Sequence, residues 1–136
     1  MRFDTKIVVA VRDDLAVWQK LNVAAFLASG IAGGVDGLMG KRYEDGDGNE
    51  YLALLRQPVV VLSADADTLS AACERARGRE LPVAIYTEEM FSTGNDDDNR
   101  AAVRAVMAAD TRYAGIAVYG PRNAVDKIFK GARMHP

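Results

Sequence analysis

Short runs of apolar residues recur along the chain, with helical or polar stretches between them. Four of these runs are apolar at successive positions, which is typical of strands covered on both faces rather than strands with one face in water. They are Lys6 to Val11, Val59 to Leu62, Pro82 to Tyr86 and Gly115 to Tyr119. We therefore predict a mixed sheet with at least these core strands.

The longest helix is predicted from Leu15 to Ala28, directly after the first strand. Asp13 and Asp14 precede it and are expected to cap its N-terminus. Apolar residues lie on nearly every side of this helix, so it has to be buried on more than one face. Because a chain of 136 residues has few elements with which to cover it, we predict a homodimer. Alternatively, two helical layers within one subunit bury the apolar surface of this helix.

The remaining elements predict an α/β fold. The strand at Val59, a helix capped by Asp65 or Asp67 and the strand ending at Tyr86 predict a right-handed crossover and parallel pairing. A later helix is predicted through Val103 to Met107, and Pro121 opens the last one. We predict one domain, residues 1–136, built as a three-layer sandwich with a mixed, mostly parallel sheet and helices on both faces.

Two segments resemble ligand-binding loops without meeting their requirements. Ser29 to Arg42 is rich in glycine, but it leaves a helix and lacks the Gly-Lys-Ser/Thr ending of a phosphate-binding loop, so we interpret it as a helix end and a flexible linker. Asp45 to Glu50 has the acidic spacing that opens a calcium loop. Its sixth position is Glu50 and its twelfth is Arg56, so we predict a hairpin turn instead.

Composition and charge narrow the classes of function. With 49% hydrophobic and 26% charged residues the chain is typical of a soluble globular protein, and no apolar run reaches the roughly 18 residues of a membrane span. The N-terminus enters the first strand without an apolar signal region, so we expect a cytoplasmic protein. A net charge of −2 argues against a general nucleic-acid binder.

Metal and cofactor chemistry has little support in the sequence. Asp96, Asp97 and Asp98 have no histidine beside them and are expected to decorate the first turn of a helix, with Asp96 spaced to pair with Arg100. The single Cys73 is expected to be a small packed residue. We predict no metal and no cofactor.

Motifs at both ends of the chain match a known family. Val11-Arg12-Asp13-Asp14-Leu15 and Asn22-Val23-Ala24-Ala25 resemble the first strand and helix of the type II peptidyl-tRNA hydrolases. Ala114 to Pro121, followed by Ala124 to Ile128, is similar to their last strand, Gly-Pro turn and final helix. In segments such as Met90 to Asp96 the chain resembles more closely an uncharacterised bacterial family of the same superfamily, a domain of unknown function.

The resemblance implies a peptidyl-tRNA hydrolase II-like fold with a polar site at the carboxyl end of the sheet. The segment Thr87 to Asn99 is predicted to be polar and irregular, and it follows a strand at the edge where open α/β sheets bind ligands. We expect a pocket there. The candidate catalytic residues are Asn22, Glu88 and Thr93, and the candidate ligand-binding residues are Arg12, Asp13, Lys20 and Ser92.

Asn22 separates the two functions that remain. The resemblance implies a lysine at this helix position in the hydrolases, and an amide cannot hold a phosphate or stabilise developing negative charge as an ammonium does. Lys20 points about 200° around the helix from Asn22. We favour a non-catalytic or divergent module for a small ligand or phosphate-bearing anion, with tRNA disfavoured as a partner. The alternative is a hydrolase of peptidyl-tRNA or another ester or amide.

Overall fold

The computed structural model describes residues 2–136, so Met1 of the predicted domain lies outside the described residues. These residues form a five-stranded sheet with helices on both faces and a separate two-stranded ribbon. The strands and helices in chain order are β1 (Thr5–Arg12), α1 (Val17–Gly34), β2 (Tyr43–Glu44), β3 (Glu50–Tyr51), β4 (Val59–Ala64), α2 (Ala66–Gly78), β5 (Val83–Thr87), α3 (Asp96–Arg104), β6 (Tyr113–Pro121), α4 (Arg122–Ile128) and β7 (Arg133–Met134).

The strand order in the sheet is β5-β6-β1-β4-β7. β1 pairs in parallel with β4, placing Ile7 opposite Val59, and in antiparallel with β6, placing Val8 opposite Val118. β5 is antiparallel to β6, so β1, β4 and β5 all run in one direction. Their carboxyl ends therefore lie along one edge of the sheet, as expected for the predicted site.

Burial of β1 on both faces confirms the three-layer α/β architecture. Ile7, Val9 and Val11 pack beneath α1, together with Val23 and Leu27 of that helix. On the opposite face, Val8 and Ala10 belong to the cluster under α2 and α4. The continuous apolar run of this strand thus indicated helices on both sides.

The predicted strand pairing is wrong in one respect. β4 and β5 were expected to be parallel neighbours, but β6 and β1 lie between them, and β5 is an edge strand. Of the pairings in the large sheet only that of β1 with β4 is parallel. The reason is that an apolar run shows that a strand is covered, whereas its neighbours are set by contacts between distant parts of the chain.

α1 differs from its prediction at both ends. It begins after Ala16, whose backbone N–H donates to Oε1 of Gln19 at 2.9 Å, so neither Asp13 nor Asp14 caps it. It then continues to Gly34 through the segment predicted as a linker. Packing explains the glycine at position 30, because an added Cβ would lie 3.0 Å from Cβ of Ala84 on the edge strand.

Residues 38–56 form an extended ribbon, which we call the arm. β2 and β3 pair near its tip, and the bridge between Met39 and Leu55 lies at its base. The predicted turn is confirmed: Oδ1 of Asp45 accepts from the backbone N–H groups of Asp47 and Asn49, both at 2.9 Å. Residues 41–52 are all exposed, so the arm projects from the body.

The segment between β5 and β6 is more ordered than predicted. Glu88–Ser92 forms a 3₁₀ turn where an irregular loop was expected, and α3 ends at Arg104, before the predicted Met107. The pairing of Asp96 with Arg100 and the cap of Asp65 on α2 are confirmed. Cys73 is buried in α2, also as predicted.

We predict that Gly115→Ala lowers the free energy of unfolding by about 1–3 kcal/mol, as overpacking of a well-packed core does. A Cβ at Gly115 would lie 2.7 Å from Cγ1 of Val23 and 2.9 Å from the backbone oxygen of Ala10. Chemical denaturation measures the change. Gly78→Ala is the control, because nothing lies within 4 Å of its added Cβ. Equal stability of the two variants would contradict this packing.

Candidate functional site

A pocket of about 330 Å³ opens between α1, the end of β5 and the 3₁₀ turn that follows it. Its position at the carboxyl edge of the sheet matches the position expected for a ligand site in this architecture. The structure places two of the candidate residues, Asn22 and Thr93, on its wall. The complete lining is Trp18, Asn22, Phe26, Tyr86, Met90, Phe91, Thr93, Gly94, Asn95, Asp96 and Asn99.

Four aromatic rings form a continuous wall of the pocket. Trp18 meets Phe91 edge-on, with ring centroids 6.1 Å apart and an interplanar angle of 75°. Tyr86 contacts Phe91 on one side, at 5.1 Å, and Phe26 on the other, at 5.7 Å. These distances are those of favourable aromatic pairs, so the rings hold one another in place. The wall presents flat apolar surface to whatever enters.

The polar groups of the pocket are mostly amides and hydroxyls. Oγ1 of Thr93 donates to the backbone oxygen of Met90 at 3.0 Å and also contacts Oδ1 of Asn99. Burial raises the pKa of Tyr86, while the amide of Asn22 acts in the opposite direction. Tyr86 therefore stays protonated at neutral pH. Among the residues that line the pocket only Asp96 is charged, and its carboxylate pairs with Arg100.

Arg12 and Glu88 meet, but they form an ion pair apart from the pocket lining. Nη1 of Arg12 lies 2.5 Å from Oε1 of Glu88 and donates to the backbone oxygen of Tyr113 at 3.3 Å, while its Nε lies 2.6 Å from Oδ1 of Asp14. Nε of Arg112 lies 3.2 Å from both oxygens of Glu88. Arg12 is 8% exposed and pairs with both carboxylates through Nε and Nη1, so it ties the ends of β1, β5 and β6 together.

The other three candidates do not line the pocket. Asp13 is exposed, with Oδ2 3.9 Å from Nη2 of Arg133. Ser92 is exposed at the end of the 3₁₀ turn, and Lys20 is half-buried on α1. The structure therefore brings together Asn22 with Thr93, and Arg12 with Glu88, while Asp13, Lys20 and Ser92 stay outside both groups.

Sequence reasoning missed the aromatic wall. Trp18, Asn22 and Phe26 are spaced four residues apart, which places them on one stripe of a helix, and this signal was present in the sequence. Tyr86 reaches the same stripe from β5, which packs beneath α1, and Phe91 reaches it because the 3₁₀ turn folds back towards α1. No spacing along the chain predicts that contact.

Two further findings concern the described residues as a whole. Within residues 2–136 no three His, Cys, Asp or Glu side chains converge in a way that would hold a metal ion. No helix of these residues is both long enough and apolar enough to cross a bilayer.

We predict that Glu88→Gln lowers the free energy of unfolding by about 1–3 kcal/mol at neutral pH, because Arg12 loses its charged partner. Burial would raise the pKa of Glu88, but hydrogen bonds from Arg12 and Arg112 outweigh it and hold the pKa below the ordinary 4.5. A depressed carboxyl pKa stabilises the folded state above that ordinary value, and the gain is lost as the pH falls through the folded-state pKa.

Chemical denaturation between pH 7 and pH 3 measures the effect. We expect the difference in free energy of unfolding between wild type and Glu88→Gln to shrink as the pH falls. The control is Glu89→Gln, at an exposed neighbour, which should stay within about 0.5 kcal/mol of wild type. A difference for Glu88→Gln that is constant with pH would show that the lost stability is not electrostatic.

The comparisons with known proteins point to one family. Residues 5–136 match the family described as "Protein of unknown function (DUF2000)". A solved structure of a protein of unknown function from Agrobacterium tumefaciens strain C58 is similar over 99% of this chain and 100% of that one, with 45% identity and a TM-score of 0.96. No curated protein matches. The predicted likeness to a domain of unknown function is confirmed, while the relation to peptidyl-tRNA hydrolases stays a prediction. The chain belongs to the DUF2000 family of proteins of unknown function.

Proposed function

We propose that the protein is a non-catalytic binding module whose pocket takes a small neutral molecule with a flat ring and amide-like hydrogen-bonding groups. The observation that supports this is the combination of an aromatic wall with side-chain amides in one cavity whose lining contains no lysine or arginine. Nucleobases and nicotinamide are examples of the chemistry meant. The proposal rests on the pocket and not on the family, whose function is unknown.

Size and shape favour a ligand of one or two rings. A volume of about 330 Å³ is near the lower end of small-molecule sites, which span roughly 300–1,000 Å³. Aromatic walls favour flat ligands because rings pack face to edge or in offset stacks. Asn22 and Asn99 each offer both a donor and an acceptor, which suits a ring that carries both.

Charge favours a neutral ligand over the anion that the sequence suggested. Arg12 is one of the two cations among the predicted site residues, and its guanidinium forms ion pairs with Asp14 and Glu88. Lys20 does not line the pocket. An anion entering the pocket would lose its hydration and find no lysine or arginine among the lining residues.

The alternative, a hydrolase, lacks an activated nucleophile at this pocket. Nucleophilic hydroxyls need an adjacent general base, and Thr93 instead contacts a backbone oxygen and an amide. Glu88 has a lowered pKa and two guanidinium partners, so it is a poor proton acceptor. With Asn22 where the resemblance implies a lysine, the electrostatic contribution of that group is absent as well.

Trp18 fluorescence tests the proposed binding, since Trp18 is the only tryptophan and it lines the pocket. We expect adenine or nicotinamide to change its emission with saturation, and inorganic phosphate to leave it unchanged. Asn22→Leu should weaken binding about tenfold, the effect of removing a hydrogen bond of about 1.4 kcal/mol.

The control is Asn123→Leu, at an exposed position on α4 and so on the opposite face of the sheet. It should bind as wild type does. Saturable binding of phosphate alone would favour an anion site, and no saturable change with any of the three probes would refute the proposed ligand class.

We also predict no release of the blocked amino acid when the protein is incubated with N-blocked aminoacyl-tRNA. Ordinary enzymes turn over at about 10 per second, so activity would be easy to detect. Turnover near that rate, lost in Thr93→Ala but kept in Thr111→Ala, would establish the hydrolase alternative. Thr111 is a matched control because its hydroxyl also donates to a backbone oxygen, that of Met107 at 3.1 Å.

A further inference from the structure

We propose that Thr93 fixes the side-chain amide of Asn99 with its N–H towards Oγ1 of Thr93 and its oxygen towards the pocket. The pocket then selects a flat ring that carries an amino group over the same ring with an oxo group. The inference rests on the proposed function, because it narrows the ligand class of the same pocket. Thr93 and Asn99 both line that pocket, and both are partly buried.

The hydroxyl of Thr93 has one proton and two neighbouring acceptors. Oγ1 lies 3.0 Å from the backbone oxygen of Met90 and also contacts Oδ1 of Asn99. A threonine hydroxyl donates a single hydrogen bond, although it can accept two. With Oδ1 on this side, one of the two contacts joins a pair of oxygens that have no proton between them. A half-turn of the amide brings Nδ2 against Oγ1, and both contacts are then hydrogen bonds.

The proton of Thr93 goes to Met90 rather than to Asn99. A serine or threonine hydroxyl often donates to a carbonyl three or four residues earlier. The described chain has two other examples: Ser29 on Phe26, and Thr111 on Met107. Thr93 stands in the same relation to Met90, directly after the 3₁₀ turn. A backbone oxygen can only accept, whereas a side-chain amide can turn, so Asn99 is the partner that donates to Oγ1.

This orientation leaves the oxygen of Asn99 for a ligand. Within the described residues the side chain of Asn99 bonds only to Thr93. The helix that carries Asn99 is held at its start, because Oδ1 of Asn95 accepts from the backbone N–H of Asp98 at 2.8 Å. Asn99 therefore presents a hydrogen-bond acceptor whose position and orientation are both fixed.

The amide of Asn22, on the α1 side of the pocket, is oriented in the same way. Burial raises the pKa of Tyr86, and the hydrogen bond with Asn22 acts against that rise. An amide lowers the pKa of a phenol by donating an N–H, because that bond favours the phenolate. Asn22 thus directs its N–H to Tyr86 and keeps its oxygen for a ligand. Both amides line the pocket, so the pocket offers two carbonyl oxygens as acceptors.

Fixed amide oxygens distinguish an amino group from an oxo group. A carbonyl oxygen accepts from the N–H of an amino group, but it repels an oxo group because neither oxygen carries a proton. An amide that is free to turn would offer its N–H to the oxo group instead and would not discriminate. Adenine has an amino group where hypoxanthine has an oxo group, on rings of the same size. The fixed amide of Asn99 therefore favours adenine over hypoxanthine, and amino-substituted heterocycles in general.

Titration of Trp18 fluorescence with adenine and with hypoxanthine measures this preference. We expect the wild type to bind adenine about tenfold more tightly. Thr93→Val keeps the shape of the side chain but removes the hydroxyl, so the amide can turn and the preference should disappear. Thr93→Ser is the matched control, because it keeps the hydroxyl and should keep the preference. Asn99→Leu removes the amide itself and should also lose the preference. A purely structural effect would weaken both ligands alike and leave their ratio unchanged.

Nicotinamide is the reference ligand, because its own carboxamide can turn to match either orientation of Asn99. It should bind to Thr93→Val nearly as tightly as to wild type, which shows that the pocket of the variant is intact. If wild type binds nicotinamide but does not distinguish adenine from hypoxanthine, the inference is refuted and the proposed function stands. A preference for hypoxanthine, or a full preference for adenine in Thr93→Val, would also overturn it. No binding of any of the three ligands would refute the proposed ligand class and this inference together.

Discussion

The close packing of α1 on the sheet is the constraint on which the rest of the molecule depends. Gly115 has no side chain, so Val23 and Leu27 approach β6 directly, and this contact fixes the rotation of the helix about its axis. Once Val23 and Leu27 face the sheet, the stripe with Trp18, Asn22 and Phe26 has to face the end of β5. The side of the helix that carries Val17 and Leu21 is then left exposed. The core, the pocket and the exposed apolar side are thus three faces of one helix.

This arrangement explains why an all-round apolar helix was the most informative stretch of the sequence and also the easiest to misjudge. The absence of a polar side predicted burial on more than one face, but within the described chain the buried residues of α1 are Val23, Leu27 and Ile31, all on the face towards the sheet. Val17 and Leu21 on the other side are exposed. The sequence could not show which face of α1 belongs to the core, which to the pocket and which stays exposed, because the division depends on Gly115, almost ninety residues further along the chain. The C-terminal end of α1 was predicted too early for a related reason. Gly30 lies against Ala84 inside the helix and does not end it.

The location of the candidate site followed from the sequence more closely than the residues that line it. Chain direction places the carboxyl ends of β1 and β5 at one edge, and polar residues after both strands do lie there. The chemistry of these residues depends on contacts between distant parts of the chain, which the sequence does not reveal. Arg12 was expected to meet a ligand, yet its Nη1 bonds to Glu88 and to the backbone oxygen of Tyr113, both from distant parts of the chain. What remains for a ligand is the amide of Asn22 among aromatic rings.

The separation of the ion pair from the pocket has a local cause at the end of β5. The register with β6 shifts between Tyr86 and Thr87, which is a bulge of the kind that redirects side chains near the end of a strand. Tyr86 belongs to the cluster beneath α1, whereas Tyr113, which pairs with Thr87, belongs to the opposite cluster. Within the described residues the hydroxyl of Thr87 is buried without a hydrogen-bond partner, an arrangement that costs about 1–3 kcal/mol. A fold retains such a cost where the redirected chain has a use, and here the redirection sends Glu88 to Arg12 and Phe91 to the pocket wall.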